Sequence, residues 1–418
     1  MIDFSLSNFI ISTLVTVLPF LWIKKEKDEV KMYFYLFCIL FYYIICGITS
    51  YLYPNNNYIQ YYIVYTLTFA FTLYATRNKS LNIKLLKSVS FTSFINSKAD
   101  NFIKLYIFYC FCGLLYPVNK LRNLIHLASP DGVTALENSM EHSMSASLNQ
   151  LLSTLFYVFL SKYVNQPKKL IGILFLQTYI SYASTSYLSR GAILRLLVVV
   201  FFLFYFNYPK IRKWLILGGI GGISSLLIFF VSYMYARMGN VFETVSLSVA
   251  LQKIAEIELS FSLNFDQALM YSPCSEIGLF RFMTWLLFLP FPGFLKPWVI
   301  NDSFNVLYTY DVLGLSPEDS SFFVTLPGLA IEGVYFFGPI LYPLHAVLFA
   351  VVINYLINTL RRSPAFTFLC IYFIINVPFG AIRAGTQSFY ATCFKILPYA
   401  LIVLYIWYSV SNKNLRKT

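Results

Sequence analysis

Charge is what this sequence lacks most. Of its 418 residues 12% are charged, with 18 acids and three histidines, while 58% are apolar and the mean hydropathy is +0.66. A water-soluble domain is about 25% charged and about 45–50% apolar, so the polar surface here is too small to cover a globule in water. That excludes a soluble enzyme, a disordered regulator and a nucleic-acid-binding domain. Metal-type patterns are missing too. No Asp-x-Asp pair and no His/carboxylate spacing marks a cation site in the segments read below as outer loops. Of the seven cysteines, Cys38, Cys46, Cys110, Cys112, Cys370 and Cys393 sit in apolar runs, and only Cys274 lies in a polar stretch. There is neither a disulfide framework nor a Cys/His cluster. These absences leave an all-α polytopic membrane protein as the expected class.

What is present is a series of apolar runs long enough to cross a bilayer, which takes about 20 residues. They fall near 6–23, 32–53, 58–75, 102–118, 148–163, 169–188, 191–208, 214–235, 338–359, 364–380 and 388–410, eleven in all. Met1-Ile-Asp-Phe lacks a basic region, and Lys24, Lys25 and Lys27 follow the first run, which reads as a retained helix rather than a cleaved signal. Alternate connections hold 21 of the 31 basic residues against four of the 18 acids. By the positive-inside rule those connections are cytoplasmic, the N-terminus is outside and the C-terminus inside. The formal charge of +13 is then a topology signal, not a nucleic-acid footprint.

Three regions follow: membrane helices over 1–235 (about eight spans), a large outer segment over 236–321, and about three more spans over 322–418. The outer segment contains apolar, interfacial pieces such as Phe282–Trp298, with Trp285 and Trp298 expected as interface anchors. Phe322–Tyr335 is expected to dip into the membrane before the next span. Ser80–Asp100, basic and partly apolar, is expected to lie on the cytoplasmic surface as a helix.

Ten basic residues remain outside the cytoplasmic connections, among them Arg190, Arg195, Arg237, Arg281, Arg383 and Lys395. Arg190 and Arg195 open the seventh span, Arg237 closes the eighth, Arg383 precedes the last and Lys395 lies inside it. A charge inside a span costs several kcal/mol and usually faces a cavity. Guanidinium is the bidentate partner of phosphate, so outer-face arginines suit a lipid-linked pyrophosphate. The alternative is that they snorkel to headgroups. His126, His142 and His345 read as structural. Gly218-Gly219-Ile220-Gly221-Gly222 reads as helix packing, because no Lys-Ser/Thr follows. Leu289–Trp298 holds too many prolines for a regular helix. Among the acids, Glu332 stands out as the candidate general base, since it sits in an otherwise apolar stretch.

Tyr187-Leu-Ser-Arg-Gly-Ala-Ile-Leu-Arg-Leu-Leu197 resembles the Ser-Arg-Gly signature of Wzy-type O-antigen and oligosaccharide repeat-unit polymerases. The later Pro-Gly-Phe-Leu-Lys-Pro segment, Leu326–Gly338 and Arg383 before the final helix are similar to that family as well. Ala384 separates Arg383 from Gly385, where the family often has glycine directly. The resemblance covers roughly 185–400 and implies a GT-C-related fold of the Wzy/WaaL superfamily. It also implies a metal-independent glycosyltransferase without cofactor, in a bacterial inner membrane with its site facing the periplasm. Such an enzyme moves a growing glycan from undecaprenyl pyrophosphate to a newly flipped lipid-linked repeat unit. Its protein partners would be a chain-length regulator and a flippase of the same pathway. By this resemblance Arg190, Arg281, Arg383 and Glu332 are the expected catalytic residues. Arg190, Arg195, Arg237, Arg281, Arg383 and Lys395 are the expected pyrophosphate ligands. A WaaL-like ligase, a flippase or exporter of lipid-linked sugars, and a multi-span acyltransferase are the competing readings.

Overall fold

Apolar stretches closed by polar or turn-forming residues set the helices of this chain. Its computed structural model describes residues 14, 59–116, 119–124, 143–185, 190–218, 278–291, 304–314, 328–376, 381 and 385–415. Among them every regular element is helical. In chain order these are α1 (Ile59–Ala75), α2 (Val89–Cys112), α3 (Ser143–Phe159), α4 (Pro167–Thr185), α5 (Arg190–Asn207) and α6 (Gly278–Phe288). Then come α7 (Phe304–Leu313), α8 (Gly328–Arg361), α9 (Thr367–Asn376), α10 (Gln387–Ala391) and α11 (Leu397–Leu415). A π-turn over Thr392–Ile396 joins the last two. Among the described residues two runs, Gly328–Arg361 and Gln387–Asn412, are long and apolar enough to cross a bilayer. The expected spans at 6–23 and 32–53, and most of 214–235, lie outside the described residues.

Local chemistry sets the ends. Ser88 caps α2 by accepting a hydrogen bond from the Phe91 N–H at 3.3 Å. Pro167 opens α4, where its missing donor costs nothing. At the other end of α4, Lys120 Nζ donates to the Ser184 carbonyl at 2.8 Å and Asn123 Nδ2 to that of Ala183 at 3.2 Å. These are carbonyls a helix cannot satisfy within itself.

Two expectations are corrected. The helix expected to lie on the surface over Ser80–Asp100 and the span expected from 102 are not separate. A short 3-10 turn, Lys84–Lys87, leads into α2, which runs unbroken from Val89 to Cys112. The reason is that no glycine or proline lies between those ends. The Asp100 carboxylate within α2 is matched by Lys162 Nζ at 2.5 Å and by the Tyr163 hydroxyl. Trp285 is no interface anchor either. It is 4% exposed, packed on Phe282 and Phe304 with ring centroids 6.1 and 4.7 Å apart.

α8 is two helical arms rather than one rod. Gly338 has φ 76° and ψ 168°, Pro339 follows it, and the helix breaks there. A side chain built on Gly333 would put its Cβ 3.4 Å from the Tyr342 carbonyl oxygen and 3.4 Å from His345 Cβ. In a straight helix the nine residues from 333 to 342 span roughly 14 Å. The first arm therefore folds back on the second, and Gly333 is the small residue that lets them meet.

The chain divides into two compact units. The first draws its described residues from Met1–Leu81, Leu251–Asn358 and Asn376–Lys395. Its core is aromatic, with Tyr65, Phe69, Phe282, Tyr308, Tyr335, Phe349 and Tyr390 fully buried. Burying one such ring contributes roughly 1.5–3 kcal/mol. Asn354 Nδ2 donates to Leu73 O at 2.8 Å and Asn358 Nδ2 to Arg77 O and Lys79 O at 2.9 and 2.7 Å, so α8 takes up one carbonyl of α1 and two of the turn that follows it. The second unit draws on Asn82–Ala250, Thr359–Ile375 and Ile396–Thr418. There Phe102 stacks on Phe159 at 4.5 Å, Tyr106 on Phe156 at 4.5 Å and Tyr157 on Tyr372 at 4.0 Å.

Candidate functional site

Among the described residues of the first unit, an apolar interior holds one carboxylate and one imidazole. Glu332 sits on the first arm of α8 and is 1% exposed; His345 sits on the second arm and is fully buried. In a continuous helix the thirteen-residue step from one to the other would separate them by roughly 20 Å. The break at Gly338 instead leaves His345 Nε2 3.7 Å from Glu332 Oε1. The other imidazole nitrogen, Nδ1, shares a hydrogen bond of 2.8 Å with the Tyr65 hydroxyl of α1.

The carboxylate is gripped from a third direction. Thr386 donates its backbone N–H to Glu332 Oε2 at 2.7 Å and its hydroxyl to Oε1 at 2.5 Å. Hydrogen bonds to a charged acceptor are each worth about 1.5–3 kcal/mol. Gly385 makes this approach possible. It has φ +90°, and a Cβ there would lie 2.3 Å from Glu332 Oε2. Only glycine fits on both counts.

Aromatic rings close the surroundings. Phe282 and Phe337 lie with ring centroids 5.9 and 5.4 Å from that of His345. α7 is tied to the same turn, because Gln387 Oε1 accepts the Phe304 N–H at 2.6 Å. Along α7, the Tyr335 hydroxyl donates to Asp311, and burial pushes the Tyr308 phenol above its ordinary range. Two polar atoms in this interior, His345 Nε2 and the Tyr390 hydroxyl, are buried without a hydrogen-bond partner. Among the described residues no lysine or arginine forms an ion pair with Glu332. None brings three His, Cys, Asp or Glu side chains together as a metal site would.

Of the residues singled out in the sequence, the structure gathers Glu332 alone into this cluster. Arg281 is exposed on α6, and Lys395 is half-buried in the π-turn. Arg190 opens α5 and Arg195 follows within it, but their side chains lie outside the described residues, as do Arg237 and Arg383 entirely. Sequence reasoning missed Tyr65, Thr386 and Tyr390, and took His345 as structural. The only available signal was that a lone acid and a lone histidine fall thirteen residues apart across a Gly-Pro break. The contact between Glu332 and Thr386 also joins two of the segments singled out above, Leu326–Gly338 and the turn after Arg383. Compared with family models, curated proteins and solved structures, the chain matches none.

Proposed function

We propose that the chain is a polytopic inner-membrane glycosyltransferase of the O-antigen polymerase type. It would have about eleven spans and a GT-C-related fold, and would lengthen undecaprenyl-pyrophosphate-linked oligosaccharides at the periplasmic face. The observation that carries this reading is the meeting of two distant motifs. Glu332, from the stretch resembling the late family motif, is hydrogen-bonded three residues beyond Arg383. Glycosyl transfer needs charge stabilisation for the departing pyrophosphate and a proton acceptor for the attacking hydroxyl. On this reading Arg190, Arg281 and Arg383 serve the first need, with Arg195, Arg237 and Lys395 as further phosphate ligands, and the Glu332 region serves the second.

A second reading has its own support. Ionisable chains buried among apolar helices mark proton pathways in transporters, and Tyr65, His345 and Glu332, the last held by Thr386, form such a chain. That favours an exporter of lipid-linked sugars. One experiment separates the two. Purified protein in proteoliposomes is given lipid-linked repeat units, and both chain length and sidedness are followed. A ladder of longer glycans is expected. Arg190→Ala should suppress it by roughly 10²-fold, and Arg190→Lys should rescue poorly because an ammonium lacks the planar fork. Movement across the bilayer without lengthening would replace the polymerase by the exporter.

A further inference from the structure

We infer that Glu332 and His345 form a buried binding site for a single proton, and that this proton holds the two arms of α8 together. The inference stands apart from sugar transfer and needs only the geometry of the first unit. A lone ion taken out of water is strongly penalised, while a compensated pair is tolerated. Glu332 has two donors, both from Thr386, but no cation among its described partners. His345 has one partner on Nδ1 and none on Nε2, and that nitrogen faces the carboxylate at 3.7 Å.

Among the described residues, the groups in contact with this pair are uncharged. α1 offers the Tyr65 hydroxyl, on whose ring Tyr342 of the second arm stacks; α6 and the first arm present the rings of Phe282 and Phe337, and Asp311 of α7 is taken up by the Tyr335 hydroxyl. α7 brings Asn305 near the Gly385 turn, and α10 brings Tyr390, with Cys393 beyond it. Among the described residues, charge balance therefore rests on the pair. With one proton it is neutral overall, as Glu–COOH beside imidazole or as carboxylate beside imidazolium. The proton moves between Glu332 Oε1 and His345 Nε2 without any other bond changing. With no proton a bare carboxylate is left buried, and with two an unpaired imidazolium. Because the partners ride on opposite arms, either state is relieved by parting the arms at Gly338 and letting water in.

A sodium ion would need several more oxygen ligands than this pair presents, which is why the site is assigned to a proton. The two unpartnered atoms, His345 Nε2 and the Tyr390 hydroxyl, mark where a hydrating water enters first.

The test is hydrogen exchange over residues 328–361 of the full chain in lipid nanodiscs, followed across pH and corrected for the intrinsic rate. Wild type should exchange slowest over the pH range in which the pair holds one proton, and about tenfold or more faster on the acid and alkaline sides of it. Glu332→Gln should lose the alkaline rise and keep the acid one. His345→Gln should lose the acid rise and keep the alkaline one. A variant that merely packs badly would exchange faster at every pH, so the opposed signatures are the readout. Repeating the series in sodium and in choline salts should leave it unchanged. A flat wild-type profile, variants that keep both limbs, or a sodium-dependent profile would overturn the proposal.

Discussion

Gly385 does what no other residue could at its position, and the comparison with a second glycine shows why. Its φ of +90° is costly for any residue with a Cβ, and the added atom would strike Glu332 Oε2 at 2.3 Å. Gly385→Ala should therefore push the carboxylate off Thr386 and lower stability by about 3 kcal/mol, from backbone strain and a damaged buried bond together. Gly172 lies in the middle of α4 with nothing within 4 Å of a Cβ. Gly172→Ala should be neutral or raise stability by about 0.5–1 kcal/mol, since alanine loses less entropy in a helix. Thermal unfolding of both variants in one detergent checks the pair of outcomes. Equal effects at the two positions would mean that the Glu332–Thr386 grip contributes nothing.

At the scale of the element, α2 shows how a charge inside a helix is accommodated. The Asp100 carboxyl is held below its ordinary range, first by the hydrogen bond from Lys162, then, against some burial, by the positive charges of Lys162, Lys169 and Lys104. A carboxyl depressed in the folded state gives stability above its unfolded value, about pH 4, and loses it as pH falls through the folded value. Both partners are partly exposed, at 46% and 30% for Asp100 and Lys162, so solvent screening keeps the gain under about 1 kcal/mol. Asp100→Asn should unfold slightly sooner than wild type at pH 7, and the gap should close below about pH 4. A gap that stays constant over that range would mean the Asp100 charge plays no part. Which elements exist was legible here, and how they join was not. The ends of α1, α4 and α5 follow from apolar runs bounded by Pro167, Ser189 and Asn207. By contrast, Lys98 and Asp100 were read as marking a surface segment, because the lysine that neutralises Asp100 lies 62 residues away. A span was expected to begin at 338, but how sharply the chain turns at Gly338-Pro339 depends on Gly333 admitting the Tyr342 carbonyl, which no local pattern encodes.

For the whole molecule, the pattern of basic residues carries the expectation that the segment around Cys274 faces outward. A membrane-impermeant maleimide added to cells with a permeabilised outer envelope should label the protein, and Cys274→Ser should abolish most of that labelling. Labelling that begins only once the inner membrane is broken would reverse the orientation. Glu332 was legible at this scale as an acid in the wrong surroundings. Its partners were not, since Thr386 is 54 residues away and Tyr65 reaches His345 across 280. The same separations bear on the order in which the protein is made. Asn354, about 280 residues downstream, takes up the Leu73 carbonyl of α1, and Asn358 takes up the Arg77 and Lys79 carbonyls of the turn after it. At about 5–20 residues per second, synthesis leaves α1 waiting roughly 15–55 s for them. Throughout that interval its final turn must stay where water or headgroups can reach it, beside Arg77 and Lys79. The grip on Glu332 cannot form until the ribosome has passed Thr386. A nascent chain arrested before that point should carry Glu332 without either of its hydrogen bonds, in the state a membrane quality-control protease is best placed to recognise.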